Sequence, residues 1–293
     1  MKKTLLLLLL SVMVVTVVAC GDASNDTTGE TPAANEEATD DTAAPAEGEL
    51  ADGTYFATED EYADSGWKGA LTLVVEGGKI TDAHWTGLNK YGNKDKRTVS
   101  EDGEYGMVAG GASAEWHEQA EAVEAWLVEN QNTQGPALKE DGRTDEISSA
   151  TIHVNDFFAL VQKTLAAGPV EKGQYEDGNY YAEAPAFADN GWKEFVWVNV
   201  INGRIVQAKW NAISEDDTIP NKYQYSEEGG YGMVAGGASS EWHEQADLTE
   251  AKLIETQDPN AIEYNDEGYT DSVSGVSVHV NGYVDLVKQA LGM

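Results

Sequence analysis

Apolar positions fall along the chain in two sets that share one order. Leu71-Thr-Leu-Val-Val75 is a β-rich run, and Phe195-Val-Trp-Val-Asn-Val200 alternates apolar and polar positions as a half-buried strand does. Each run leads into a turn, Glu76-Gly-Gly78 or Asn202-Gly203, and then a second run, Ile80 to Trp85 or Ile205 to Trp210. Asn-Gly between apolar runs predicts a hairpin, because both residues accept positive φ. Further on, Trp116, Ala120, Val123 and Leu127 recur at helical spacing, as do Trp242, Ala246, Thr249 and Leu253. Ser113 and Ser239 are the expected caps of these helices, with Glu115 and Glu241 in the first turn. A last helix in each set carries Phe157, Leu160, Val161 and Leu165, or Tyr283, Leu286, Val287 and Leu291, with Asn155 and Asn281 as expected caps. The pattern predicts an α+β fold in which each half is an antiparallel sheet with packed helices.

The two sets are a sequence repeat. Tyr105-Gly-Met-Val-Ala-Gly-Gly-Ala-Ser113 recurs as Tyr231 to Ser239, and Glu115-Trp-His-Glu-Gln-Ala120 as Glu241 to Ala246. The same offset of 126 residues relates His153 to His279, whereas Asp52-Gly53 and Gly66-Trp67 match Asp177-Gly178 and Gly191-Trp192 at an offset of 125. A period this long points to a duplicated domain rather than a solenoid, and units of about 120 residues are of ordinary domain size. The expected domains are 51–168 and 174–293.

The beginning of the chain reads differently. Lys2 and Lys3 precede Leu5 to Leu10 and Val12 to Val18, an apolar run that ends at Ala19-Cys20. About 18 apolar residues are enough to span a bilayer, but the charged start and small residues at the end mark an export signal over 1–19. Val18-Ala19-Cys20 resembles a bacterial lipobox, which implies a lipidated Cys20 and an anchor at the extracellular face of the cell membrane. Cys20 is the only cysteine, so no disulfide or cysteine–metal site is available. From Gly21 to Leu50 there is no aromatic and no basic residue, and acidic positions recur from Asp22 to Glu49. Such a stretch is expected to be a disordered acidic tether with a reach of about 30 Å. The formal charge of −34 argues against nucleic acid and anionic lipid surfaces as partners.

Two short segments before the last helix of each half carry the chemistry. Asp145-Glu-Ile-Ser-Ser-Ala-Thr151 and Asp271-Ser-Val-Ser-Gly-Val-Ser277 resemble the flavinylation motif of the FMN-binding domain family: Asp, two variable residues, Ser or Thr, Gly or Ser, Ala, then an acceptor hydroxyl. The Asp-Gly-x-Tyr starts at Asp52 to Tyr55 and Asp177 to Tyr180 extend the resemblance over nearly the whole body, and two such domains behind a lipobox resemble the flavinylated lipoproteins of Gram-positive extracellular electron transfer. The resemblance implies that an FMN transferase esterifies FMN onto Thr151 and Ser277. Asp145, Ser148, Ser149 and Ala150, and Asp271, Ser274, Gly275 and Val276, would be the rest of the two motifs. It also implies an electron carrier rather than a dedicated enzyme, with membrane electron-transfer proteins as donors and ferric iron or extracellular reductases as acceptors. Val276 in place of Ala, and Ser277 in place of the commoner Thr, set the second motif apart. A β-branched neighbour is bulkier and stiffer, so less complete modification is expected there.

Other repeated residues are candidates for a flavin pocket. Tyr105, Met107, Gly110 and Gly111, with Tyr231, Met233, Gly236 and Gly237, lie in a loop suited to close backbone approach. Trp67 and Trp192 are candidates both for core packing and for stacking on the ring. His117, His243, His153 and His279 lack the partners of a metal or triad site, and a hydrogen bond near the flavin is the expected role. No attached-haem, Walker or Rossmann motif occurs in the sequence. The alternative from another class is a non-redox surface lipoprotein that binds a ligand or partner. A pheromone released from Ser11 to Ala19 of the signal peptide is compatible with either.

Overall fold

The computed structural model describes residues 50–293, which belong to one compact unit. The expected signal peptide, Cys20 and nearly all of the tether lie outside the described residues. Among those described, no helix is long and apolar enough to cross a membrane.

The first half holds β1 (Gly53–Thr58), β2 (Trp67–Glu76) and β3 (Lys79–Asn89), followed by α1 (Lys96–Glu101), α2 (Trp116–Asn130) and α3 (Asn155–Ala167). The second half runs in the same order: β4 (Gly178–Glu183), β5 (Trp192–Ile201), β6 (Arg204–Ser214), α4 (Lys222–Glu227), α5 (Trp242–Thr256) and α6 (Asn281–Leu291), with a short 3-10 turn at Pro259–Ala261. Each half has a three-stranded antiparallel sheet with its middle strand second in sequence. The β2–β3 and β5–β6 hairpins close on Gly77-Gly78 and Asn202-Gly203, all four at positive φ, as the turn residues predict.

Each half also has its own core. Leu71, Leu73, Val75 and Trp85 from one sheet meet Trp116, Val123, Leu127, Phe157 and Val161 from α2 and α3; Val196, Val198, Val200 and Trp210 meet Trp242, Leu253, Tyr283 and Val287 in the other. The helical positions named from spacing are therefore the buried ones, with Leu165 and Leu291 at the core margin.

Three expectations need correction. The middle helices start one residue after Glu115 and Glu241, which are the caps, so Ser113 and Ser239 are not. Glu118 and Glu244 accept the Glu115 and Glu241 N–H groups, both at 2.7 Å. The Glu115 carboxylate meanwhile turns back to the N–H groups of Met107 and Val108 at 3.0 and 3.1 Å, and Glu241 does the same to Met233 and Val234. The two oxygens of a glutamate have the reach for this double duty, and the single oxygen on the short serine side chain does not. Asn155 and Asn281 are likewise not caps but the first helical residues, after Val154 and Val280. The entry point is set by main chain, since Val154 and Val280 donate to Gly142 and Gly268. Finally, α1 and α4 have no counterpart in the hydrophobic pattern, because six residues are too few to show a period. Asp95 and Asn221 cap them with side-chain oxygens.

Buried charge ties helix to sheet. Glu124 of α2 accepts the Trp85 N–H at 2.5 Å and pairs with Arg97 of α1. Glu250 of α5 accepts the Trp210 N–H at 2.8 Å and pairs at 3.0 Å with Lys209, which also meets Asp247 at 2.9 Å. The carboxylates are equivalent but the cations are not: Tyr223 stands where α1 has Arg97, and Lys209 of β6 stands where β3 has His84. Burial lowers the tendency of Lys209 to hold a proton, yet Glu250 and Asp247 overcome it and keep the ammonium above its usual range.

The halves meet through amides. The segment from Asn89 to Asp95 turns across the outer face of the second sheet, with Gly92 at φ +90° donating its N–H to the Asn89 carbonyl at 3.2 Å. Gln207 donates to the Asn89 carbonyl at 3.1 Å, Asn211 to Tyr91 at 2.9 Å and Asn199 to Asn93 at 3.1 Å, and the Asp95 N–H donates to Asn179 at 3.0 Å. Asn199, Gln207 and Asn211 are thereby buried with amide partners.

Removing one member of a buried ion pair strands the other, at a cost of about 3–5 kcal/mol. Lys209→Met is expected to lower unfolding stability by about that much in urea titrations, more than Lys163→Met on the exposed Lys163–Asp60 pair.

Candidate functional site

The two expected acceptors sit in matching places. Thr151 and Ser277 are exposed, each four residues ahead of the first residue of α3 or α6. A fully buried glutamine from the preceding helix holds each one. Gln119 Oε1 accepts the Thr151 N–H at 2.7 Å and its hydroxyl at 3.0 Å; Gln245 Oε1 accepts the Ser277 N–H at 2.6 Å and its hydroxyl at 3.2 Å. The Gln119 Nε2 donates to Ala114 O at 3.0 Å and the Gln245 Nε2 to Ser240 O at 3.2 Å, which fixes the carbonyl end toward the acceptor. With its proton directed to the glutamine, the hydroxyl oxygen keeps its lone pairs free to face outward. Gln119 and Gln245 escaped notice in the sequence, although both lie in the repeated Glu-Trp-His-Glu-Gln-Ala.

Thr151 stands at the lip of a cavity of about 410 Å³. Trp67, Tyr105 and Met107 line it with Thr151, as do Lys96, Arg143 and His153. Trp67 and Tyr105 meet edge to face at 6.2 Å, and the Lys96 ammonium lies over Tyr105 at 5.0 Å and Trp116 at 4.6 Å. Burial pulls the Lys96 pKa down to about 8, against the attraction of Glu59 and Asp156. Arg143 donates from Nε to the Thr151 carbonyl at 2.7 Å and pairs with Asp141 at 2.8 Å. The site thus combines a hydroxyl nucleophile, two aromatic faces and two cations. Lys96, Arg143 and their counterparts in the second half carried no readable sequence signal, since a lysine in a turn is ordinarily a surface residue.

Other expected members are placed differently. Gly110 and Gly111 are exposed and outside the cavity lining; Gly111 and Gly237, at φ +97° and +101°, serve the turn of their loop. Among the motif residues, Asp145 is exposed and pairs with Lys139 at 2.5 Å, Ser148 and Ser149 are exposed, and Ala150 is buried under the loop. In the second motif Asp271, Ser274 and Gly275 are exposed and Val276 half-buried; Gly275 takes φ +87°, which Ser149 at the equivalent position does not. His117 and His243 each bond a serine of the short helix, Ser100 at 2.9 Å and Ser226 at 3.0 Å, away from the acceptors. His153 does line the first cavity, and the His279 ring lies 4.2 Å from that of Tyr269, tilted by 59°. Among the described residues, no group of three or more His, Cys, Asp or Glu is arranged to hold a metal ion.

The second half repeats part of this geometry. Trp192 and Tyr231 meet edge to face at 6.1 Å, and Lys222 lies over Tyr231 at 5.2 Å and Trp242 at 4.3 Å. Here the lysine has a carboxylate partner, Glu194, at 3.7 Å. Burial lowers the Lys222 pKa, with Glu194 opposing.

No protein-family model matches the chain, and no curated protein matches it. Two solved structures are similar to it. A solution NMR structure of a Clostridium thermocellum protein is 52% identical, with 40% of this chain and 90% of that one covered and a TM-score of 0.33. A crystal structure of a Clostridium perfringens protein is 23% identical, with 40% of this chain and 87% of that one covered and a TM-score of 0.31.

Because the Lys96 pKa is lowered to about 8, its ammonium carries charge below that pH and loses it above. NMR of the lysine side-chain methylenes is expected to show one lysine titrating near that value, and Lys96→Met is expected to remove that transition alone.

Proposed function

We propose that the chain is a membrane-anchored extracellular flavoprotein that carries FMN on Thr151 and on Ser277 and relays electrons. In this reading the halves are two tandem FMN-binding domains, 51–168 and 174–293, held to the cell surface by a lipid on Cys20 and an acidic tether. The observation that carries the reading is the pairing of each acceptor hydroxyl with a buried glutamine in both halves, with a Trp–Tyr–Lys cluster sharing the cavity of the first.

The residues fit the group. A cavity of about 410 Å³ lies within the size range of sites for small organic ligands. Trp67 and Tyr105 offer faces to a flat ring, Lys96 offers a positive charge toward its polar edge, and Arg143 stands beside the attachment point, where a phosphodiester needs a counter-charge. FMN held there supplies one- and two-electron redox chemistry.

Attachment needs a partner enzyme, an FMN transferase with FAD as donor. The Thr151 Oγ1–phosphorus bond forms as the bond between the two FAD phosphates breaks, AMP leaves, and the hydroxyl proton passes to a base of the transferase. Gln119 orients Oγ1 for that attack. The supply of electrons from membrane electron-transfer proteins, and their delivery to ferric iron or extracellular reductases, follow from the resemblance to flavinylated lipoproteins.

Intact mass of the folded body, expressed with and without an FMN transferase, tests the reading. The expected result is a transferase-dependent gain of two FMN phosphoester units, reduced to one by Thr151→Ala or Ser277→Ala; no gain at all overturns it. Gln119→Leu removes the shared acceptor of the Thr151 N–H and hydroxyl, hydrogen bonds worth about 0.5–1.5 kcal/mol each. It is expected to lower FMN on Thr151 while leaving Ser277 loaded, as read by peptide mass.

A further inference from the structure

Position for position, the two halves differ most at the floor of the cavity. In the first half the floor includes a cross-strand pair of glycines, Gly69 on β2 opposite Gly87 on β3. The equivalent register pair in the second half is Glu194 opposite Ala212. A Cβ at Gly69 would meet the Glu59 carboxyl at 3.0 Å and Leu160 at 3.2 Å, so in the first half a carboxylate reaches the floor from just beyond β1, whereas Glu194 carries one on the strand itself. Its carboxylate pairs with Lys222 at 3.7 Å and lies so near α6 that a Cβ on Gly282 would come within 2.8 Å of it. The first half has Asp156 where the second has Gly282, and there Asp156 lines the open cavity.

Two further exchanges act in the same direction. Tyr225 replaces Val99 and lies against Trp192 at 6.1 Å, so Trp192 is buried, whereas Trp67 is half-exposed on the cavity wall. Around the acceptors, the first half has Arg143 and Ala122, and the second has Tyr269 and Leu248. Both of these are exposed at more than 40%, with the Tyr269 ring tilted against that of His279 and Leu248 in contact range of Gly275.

Resting on the flavin reading above, we infer that the two cofactor sites are unlike by construction: the cavity beside Thr151 admits the flavin ring, while the Glu194–Lys222 pair excludes it from the second, so that the ring on Ser277 lies at the surface on Tyr269, His279 and Leu248. The sheltered ring keeps water and bulky oxidants away. The exposed ring, on an apolar and aromatic patch, is the point of exchange with large or insoluble acceptors. Glu194 is then the residue that decides between a sheltered and an exposed site.

Proteins carrying a single flavin test this directly. Thr151→Ala and Ser277→Ala chains are co-expressed with a transferase, the load of each is established by intact mass, and iodide quenching of flavin fluorescence is compared. A site that encloses most of its ligand leaves only about a third or less of the surface in contact with solvent. Quenching is therefore expected to be at least about threefold stronger for flavin on Ser277 than on Thr151. Visible circular dichroism of the ring, induced by a fixed chiral surrounding, is expected to be strong on Thr151 and weak on Ser277. Adding Glu194→Gly to the Thr151→Ala chain is expected to weaken quenching and strengthen the dichroism. Equal quenching and equal dichroism at two loaded sites overturn the inference while leaving the flavin reading intact. Flavin on Thr151 alone also overturns the inference, and its absence from both removes the flavin reading itself.

Discussion

Helices α2 and α5 are each fixed to a sheet by one buried carboxylate. Glu124 and Glu250 satisfy the N–H of a core tryptophan, Trp85 or Trp210, and a buried ion of that kind must bring a cation with it. This double bond sets the height and rotation of α2 and α5 on their strands. Gln119 and Gln245, on the same helices and fully buried, are thereby delivered to the acceptor hydroxyls. A shift of one residue in helix register would turn both groups away together.

The way the cation is supplied is instructive. Arg97 arrives from a short helix and Lys209 from a strand, yet both reach the same carboxylate. What is held constant is the neutralised anion under the tryptophan, not the residue that neutralises it. A similar exchange occurs by the acceptors. Near Lys96 the carboxylate is Glu59, which accepts the Gly69 N–H at 2.6 Å; near Lys222 it is Glu194, from the very position that Gly69 occupies in the first half. The first solution leaves the strand position bare, and the second places the carboxylate on it.

The union of the halves follows from backbone chemistry. A segment outside helix and sheet has N–H and C=O groups without ladder partners, and burying it demands others. Side-chain amides of Asn179, Asn199, Gln207 and Asn211 supply them, so the polar face of the second sheet is a template for Asn89 to Asp95 rather than a solvated surface. The bonds place two separate cores in one compact unit without merging them.

The sequence by itself determined the local elements and their repetition. Apolar spacing named the two hairpin strands and the two long helices of each half, and Gly77-Gly78 and Asn202-Gly203 named the turns, because these signals depend only on near neighbours; β1 and β4 went unnamed. The resemblance to the flavinylation motif pointed to Thr151 and Ser277, and the repeat to Trp67, Tyr105 and Met107 as candidate company. Only the tertiary structure decided the caps at Glu115 and Glu241, whose carboxylates serve a loop seven or eight residues upstream, and the short helices that are below one reliable period. It alone showed Gln119 behind Thr151, 32 residues apart in sequence and in contact through the fold. The exchange of the Gly69–Gly87 pair for Glu194 and Ala212 was equally hidden. Gly69 and Gly87 are neighbours across strands, and a linear chain does not reveal which small residues stand opposite one another.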